Sequence, residues 1–328
     1  MIKALAITGP TASGKTAISL SVAQRLNGEI ICADSMQIYR GMDVGTAKAT
    51  AEELSRVPHH LLDIVEPSDS FSCECYRERA MAAAAQISAK GRLPIFVGGT
   101  GLYIDTLARS ASDEVPPSDP SYAARLTVGL DETQMPEVLW QRLAEVDRES
   151  ANKIHKNNLR RVIRALEIYD ATGKPKSYFD ALSQKRASDI GIGIITLDFH
   201  NRESLYRRID MRVDMMMDQG LLREVRELYG HGLLGEDTTA SQAIGYKEIV
   251  SYLKGECTLE MAVEQIKLSS RRYAKRQLTW FRRYNDAYRL YIDREDGAIR
   301  SEDELVFECE RACRELLSEL DGTNESKI

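Results

Sequence analysis

At 328 residues and 43% hydrophobic, the chain can bury a substantial core and has room for about two domains. No apolar run approaches the length of a membrane span, and the first motif begins at Gly9, which leaves no space for a cleavable signal. A cytoplasmic chain is therefore expected. The formal net charge of −6 argues against a nucleic-acid partner if read globally, but the charge is unevenly placed.

The first apolar run, "ALAIT", leads into "GPTASGKT", Gly9 to Thr16, and then into "TAISLSVAQRL", with Ile18, Val22 and Leu26 at helical spacing. Strand, glycine loop and helix in that order fit G-x-x-x-x-G-K-[ST]. In such a loop (here Gly9, Pro10, Thr11, Ala12, Ser13, Gly14, Lys15 and Thr16) backbone N–H groups cradle phosphate oxygens, the lysine adds charge and the last hydroxyl holds Mg²⁺. Phosphate binding is expected, with Thr16 as the metal-side residue.

The second run, "EIICAD", ends in Asp34, an acid at the carboxyl edge of a strand beside the phosphate loop. It is placed to accept a proton from a nucleophile attacking the bound phosphorylated group. The alternative is a helix-capping Asp-Ser pair. The third run, "LPIFVGG", ends in glycines, so the Mg²⁺-shell aspartate usual in ATPases and GTPases is missing from the obvious place.

A fourth run, "GIGIITLDF", comes late. Between the third and fourth, "SDEVPPSDPS" breaks the chain, and "MPEVLWQRLAEVDRESANKIH" and "LRRVIRALEIYDATGK" read as helices. The expected architecture is a phosphate-loop NTPase-like parallel α/β sheet flanked by helices, over 1–113 and 190–328. An all-helical subdomain is inserted at 114–189, and the region after the fourth strand is helical.

From Lys267 to Arg289 eight basic residues face one acid, and from Asp293 to Asp321 eleven acids face four arginines. At about 100° per residue, Leu259, Ala262, Val263, Ile266, Tyr273, Trp280, Phe281 and Tyr284 share one arc, and the seven basic residues from Lys267 to Arg283 share the opposite half. Such a helix packs one face and offers the other to phosphates, unless that face is merely solvated. Lys153, Lys156, Arg160, Arg161 and Arg164 form a second basic cluster in the insertion and favour RNA binding. The six cysteines (Cys32, Cys73, Cys75, Cys257, Cys309, Cys313) lack C-x-x-C pairing and are expected as reduced thiols.

"GPTASGKT", "ADSMQIYRGMDVGTAKAT", "PHHLLDIVEP", "FVGGTGLY", "HKNNLRRVIRALEIY", "QAIGYKE" and "RRYAKRQLTWFRRY" resemble, in order, the motifs of the bacterial tRNA dimethylallyltransferases. The resemblance implies that the loop holds dimethylallyl diphosphate with Mg²⁺, ATP not being the substrate. The dimethylallyl group passes to the exocyclic amine of the adenosine just 3′ of the anticodon in tRNA. Asp34 would be the general base, with Ser35, Met36 and Gln37 lining the flipped base and Thr100 beside the reacting centre. Lys15 and Thr16 would stabilise the leaving diphosphate. Arg125 and Arg208 best match two arginines near it, with Arg207 and Arg212 as substitutes.

The family's tRNA contacts fall here on Arg160, Arg161, Val162, Ile163 and Arg164, on Gln242, Ala243, Ile244, Gly245, Tyr246 and Lys247, and on Arg271, Lys275, Arg276 and Gln277. Ser270 stands where the family commonly has threonine, and no zinc-finger spacing follows, unlike the eukaryotic relatives. The implied partners are the tRNA anticodon stem-loop and dimethylallyl diphosphate, with no membrane and a monomeric chain. The competing readings are a prenyltransferase acting on free adenine nucleotides, a small-molecule phosphate-loop kinase, and a non-enzymatic RNA-binding module. The last would leave the phosphate loop and its acid unexplained.

Overall fold

In a computed structural model describing residues 1–108, 115–116, 118–119, 121–185, 189–235 and 238–325, six strands form one sheet. They are β1 (Ile2–Thr8), β2 (Gly28–Cys32), β3 (His59–His60), β4 (Leu93–Gly98), β5 (Ile190–Asp198) and β6 (Tyr288–Tyr291), in the order β3-β2-β4-β1-β5-β6. Every neighbouring pair is parallel. Sequence reading anticipates β1, β2, β4 and β5, whose near-continuous apolar runs are what a sheet covered on both faces requires. It misses β3 and β6, because "HH" and "YRLY" are too short and polar to stand out, and each occupies an edge.

Alternation along β1 divides the core. Leu5 and Ile7 pack with Ile18, Leu20 and Val22 of the helix Lys15–Arg25, while Ala4 and Ala6 face Tyr76, Ala80 and Ala84 of the helix Cys73–Ala89. The strand thereby fixes the phosphate loop, which leaves its carboxyl end, between two layers of helices.

The acidic tail is an integral part of this fold. It forms the helix Glu302–Glu325, which buries Leu305, Cys309, Ala312 and Cys313 in the same core as Leu5 and Ile7. Gly193 of β5 makes room for it, since a Cβ there would sit 2.8 Å from Leu316 Cβ. The acids occupy its outer side, where Glu310 pairs with Arg25 at 2.9 Å and Glu304 with Arg294 at 2.7 Å. The run of negative charge is the solvent stripe of an amphipathic helix.

The chain divides into two compact units, Met1–Ala108 with Asp189–Ile328, and Arg109–Ser188. The start that the sequence reading gives the insertion, 114, lies outside the described residues, as do 109–113 and 186–188, and its end, 189, falls one residue past the second unit. The second unit is helical and has its own core of Leu139, Leu143, Ala151, Ile154, Val162, Ala165 and Leu166. Its longest helix, Leu159–Thr172, ends at Gly173, whose φ of +70° is the left-handed cap that glycine adopts without strain. All six cysteines are free thiols, and no helix among the described residues is long and apolar enough to cross a membrane.

Candidate active site

The phosphate loop turns on Gly9, where φ is +146° and a Cβ would lie 2.8 Å from that of Leu197, and enters its helix at Gly14, where φ is +86°. Ser13 is buried and donates to the Pro10 carbonyl at 2.8 Å, closing the loop on itself. Lys15 folds back, its Nζ donating to the carbonyls of Gly9 at 3.0 Å and Pro10 at 2.6 Å. Burial and then the Arg212 charge pull its pKa down to about 7, against the opposing pull of Asp34. The cation is held where an arriving anion would be most welcome.

Arg208 and Arg212 lie one turn apart on the helix Arg202–Asp218, hence on one face. Arg208 Nε donates to the Ala12 carbonyl at 2.8 Å, and Arg212 Nη2 to that of Thr46 at 3.2 Å. Arg212 Nε is buried without a partner, an orphan donor of the kind a ligand satisfies. Burial lowers the pKa of both guanidiniums, with Asp34 countering it at Arg212. Arg207 turns aside to Ser204 Oγ at 3.4 Å. Of the two named substitutes for Arg208, Arg212 is the one that lines the pocket.

Asp34 Oδ1 accepts from the N–H of Met36 at 2.9 Å, an Asx-turn, and residues 35–38 are turn. No helix starts there, so the capping alternative falls. Thr100 secures this turn: its Oγ1 accepts from the Ser35 N–H at 3.0 Å and donates to Ser35 Oγ at 3.2 Å. Gly98 lets the two strand ends approach, since a Cβ there would come 2.1 Å from the Ala33 carbonyl oxygen.

Lys15, Asp34, Ser35 and Arg212 open on one pocket of about 540 Å³ in the first unit, whereas Arg208 and Thr100, expected beside the reacting centre, stand behind its lining and hold it through Ala12 and Ser35. Thr11, Ala12, Gly14, Lys15 and Thr16 form its phosphate-loop side, and Asp34, Ser35, Met36 and Gln37 a second side. Gln242, Ala243, Ile244, Gly245 and Lys247 form a third, while Arg276 and Gln277 reach it from the helix Leu259–Phe281. Sequence reading gives no role to Gly45, Thr46 and Ala47, although they sit within "MDVGTAKAT", or to Ile209, Val213 and Met216, the apolar wall beside Arg212. The helical spacing of those three was the available signal.

Several expected tRNA contacts face the protein instead. Val162 is fully buried in the insertion's core, and Tyr246 is fully buried with its hydroxyl donating to Glu224 at 2.6 Å. Gln277 is buried, with both ends of its amide bound to backbone. In the insertion, Arg164 pairs with Glu167 and donates to the Pro116 carbonyl, Lys156 pairs with Glu137, and Lys153 with Glu149. Arg160 and Arg161 are exposed, and Ile163 is half-buried. Arg125 binds Asp119 at 2.8 Å within the same unit.

On the helix Leu259–Phe281 the basic face is divided. Arg271 makes two bonds to Asp210, at 2.6 and 2.7 Å, and Lys267 pairs with Asp214 at 2.8 Å. Arg272, Lys275 and Arg276 are exposed and have no carboxylate partner among the described residues. The helix seats through Ala274, Gln277 and Leu278 between the expected Ile266 and Phe281.

No cluster of three or more His, Cys, Asp or Glu able to hold a metal occurs among the described residues. Thr16 and Asp34 nevertheless share the pocket. The Thr16 hydroxyl suits Mg²⁺, which keeps several waters and binds through substrate phosphates, and leaves Asp34 free as a base.

The chain is similar to known proteins over most of its length. The family model described as IPP transferase matches residues 37–284. The tRNA dimethylallyltransferase of Shouchella clausii is 45% identical over 297 residues, 90% of this chain and 93% of that protein. That of Geobacillus thermodenitrificans is 51% identical over 280 residues, 85% and 87%. Among solved structures, the tRNA isopentenylpyrophosphate transferase of Bacillus halodurans superposes with a TM-score of 0.71 at 41% identity, over 99% of this chain and 100% of that one. A eukaryotic dimethylallyltransferase acting on tRNA gives 0.77 at 31% identity, over 89% and 74%.

Proposed function

The chain belongs to the IPP transferase family, and from that membership we propose that it transfers a dimethylallyl group from dimethylallyl diphosphate to the exocyclic amine of the adenosine just 3′ of the anticodon in tRNA. The observation that carries this reading is the convergence of Lys15, Arg212 and Asp34 on one pocket, cations and a carboxylate together. The phosphate loop, Lys15 and Arg212 bind the diphosphate, Arg208 holding the loop through the Ala12 carbonyl. As the bond from its oxygen to the allylic carbon breaks, these cations hold the negative charge that accumulates. The amine nitrogen bonds to that carbon, and its proton passes to the Asp34 carboxylate. Thr100, through Ser35, fixes the turn that presents Asp34.

Thr16 is the residue that would hold Mg²⁺, which when bound with the diphosphate neutralises its charge. The flipped adenine would lie against Ser35, Met36 and Gln37, and the apolar wall of Ile209, Val213 and Met216 would keep water from the allylic group. Arg272, Lys275 and Arg276 would take tRNA phosphates. This reading takes the enzyme as a cytoplasmic monomer.

The test is direct. With Mg²⁺ and labelled dimethylallyl diphosphate, label should enter tRNA and leave AMP unlabelled, without ATP. Label in AMP alone would favour the nucleotide prenyltransferase, and Lys15-dependent ATP turnover the kinase.

A further inference from the structure

Glu224, on the helix Leu221–Gly230, lies outside every recognised motif, yet its carboxylate accepts four hydrogen bonds. Three come from successive backbone N–H groups, those of Asp43 at 2.9 Å, Val44 at 2.7 Å and Gly45 at 3.1 Å. Successive amides converging in this way make an anion-binding nest, here filled by the protein's own carboxylate. The fourth is the Tyr246 hydroxyl at 2.6 Å. Burial and the Glu224 charge raise the pKa of Tyr246, so the phenol remains a donor.

Each partner stands behind a pocket wall. The residue after the nest, Thr46, offers its carbonyl to Arg212 Nη2 at 3.2 Å and to Gln37 Nε2 at 3.1 Å. Tyr246 is buried between Gly245 and Lys247 of the third wall, and its ring presses so closely on the nest that a Cβ at Gly45 would lie 2.5 Å from it. We propose that Glu224 is a positioning residue that holds these two walls in register, and that through the Thr46 carbonyl it sets the guanidinium of Arg212 for the diphosphate and the amide of Gln37 for the base. A charged acceptor shared among four donors holds more firmly than neutral contacts would, and among the described residues no other side chain binds these three amides.

The part concerning Arg212 can be tested without assuming prenyl transfer, using inorganic diphosphate with Mg²⁺ as the probe. Glu224→Gln puts an amide donor against the nest and should weaken diphosphate binding by about fivefold or more. In an Arg212→Ala background the same substitution should change it little, because the route through Arg212 is gone. Gly45→Ala displaces the same wall while leaving Glu224 intact and should repeat the pattern, which carries the test if Glu224→Gln folds poorly. A residue that only stabilised the fold would lower the melting temperature and the fraction of active protein, with unchanged diphosphate affinity per folded molecule. That result, or an equal loss in the presence and absence of Arg212, overturns the proposal. If the diphosphate pattern holds while neither tRNA nor AMP takes label, the positioning role stands and the prenyl-transfer reading is what fails.

Discussion

The buried amide of Gln277 accepts the backbone N–H of Thr11 at 2.9 Å, tying the basic helix Leu259–Phe281 to the phosphate loop. Its other end donates to the Gly99 carbonyl at 2.9 Å, and because both partners are backbone groups the orientation of the amide is unambiguous. Gln277→Leu leaves a buried donor and a buried acceptor unsatisfied, at about 1–3 kcal/mol each. The variant should melt several degrees lower and bind diphosphate more weakly, as thermal denaturation and calorimetry would show. An unchanged affinity would mean that the loop needs no brace.

Asp34→Asn keeps an oxygen for the Met36 N–H and so preserves the turn, but cannot take a proton. Single-turnover transfer should slow by about a hundredfold or more, with tRNA affinity nearly unchanged. Parent-like turnover would remove Asp34 from the chemistry.

Lys15 gives a pH signature. Its pKa of about 7 leaves it mostly neutral at pH 8, and a diphosphate beside it favours the charged form and raises that pKa. Binding at pH 8 should therefore take up protons at Lys15, and affinity should fall as pH rises above 7. Calorimetry in buffers of different ionisation enthalpy measures the uptake, and Lys15→Met should remove the part due to this side chain.

How much of this was legible depended on whether the signal was local. Buried on both faces, β1, β2, β4 and β5 are apolar runs, whereas β3 and β6 exist because a neighbouring strand offers an edge. The phosphate loop and Asp34 lie in short contiguous motifs at strand ends. Motifs give order along the chain but not facing, which is why Val162 and Tyr246, expected at the RNA, lie in cores. Arg208 and Arg212 share a helical face, so spacing could not choose between them. Glu224 carried no signal at all, since its backbone partners lie 179 to 181 residues away and an amide nest has no side-chain signature.

Glu29, buried at the amino end of β2, is the acid-sensitive point of the sheet. Burial alone would raise its pKa, but the hydrogen bond from His60 and the Lys90 and Arg92 groups outweigh it, and the carboxyl sits below its ordinary 4.5. A depressed carboxyl contributes stability that is present above the unfolded value and lost as pH falls through the folded one. Glu29→Gln should be less stable than the parent at pH 7, with the gap closing as pH falls through the lowered carboxyl value. Denaturant melts at several pH values would show it, and a gap constant with pH would exclude this role for the charge.

Ion pairing divides the basic helix into residues that serve the fold and residues free for RNA. Lys267 and Arg271 are neutralised by Asp214 and Asp210, whereas Arg272, Lys275 and Arg276 are exposed, Arg272 and Arg276 also lining the pocket and Arg276 lying over the ring of Tyr273 at 5.5 Å. Each tRNA phosphate neutralised by a free cation releases counterions, so the slope of log affinity against log salt should flatten by about 0.9 per cation lost on duplex regions. Lys275→Ala with Arg276→Ala should therefore flatten it by about two units, and Lys275→Ala alone, outside the pocket lining, by about one with dimethylallyl diphosphate affinity nearly unchanged. Lys267→Ala should leave the slope alone, because that charge is already matched within the protein. Titrations at several salt concentrations separate these outcomes. If the paired and unpaired positions change the slope equally, the RNA must displace the aspartates when it binds, and if neither does, the outward face is only solvated.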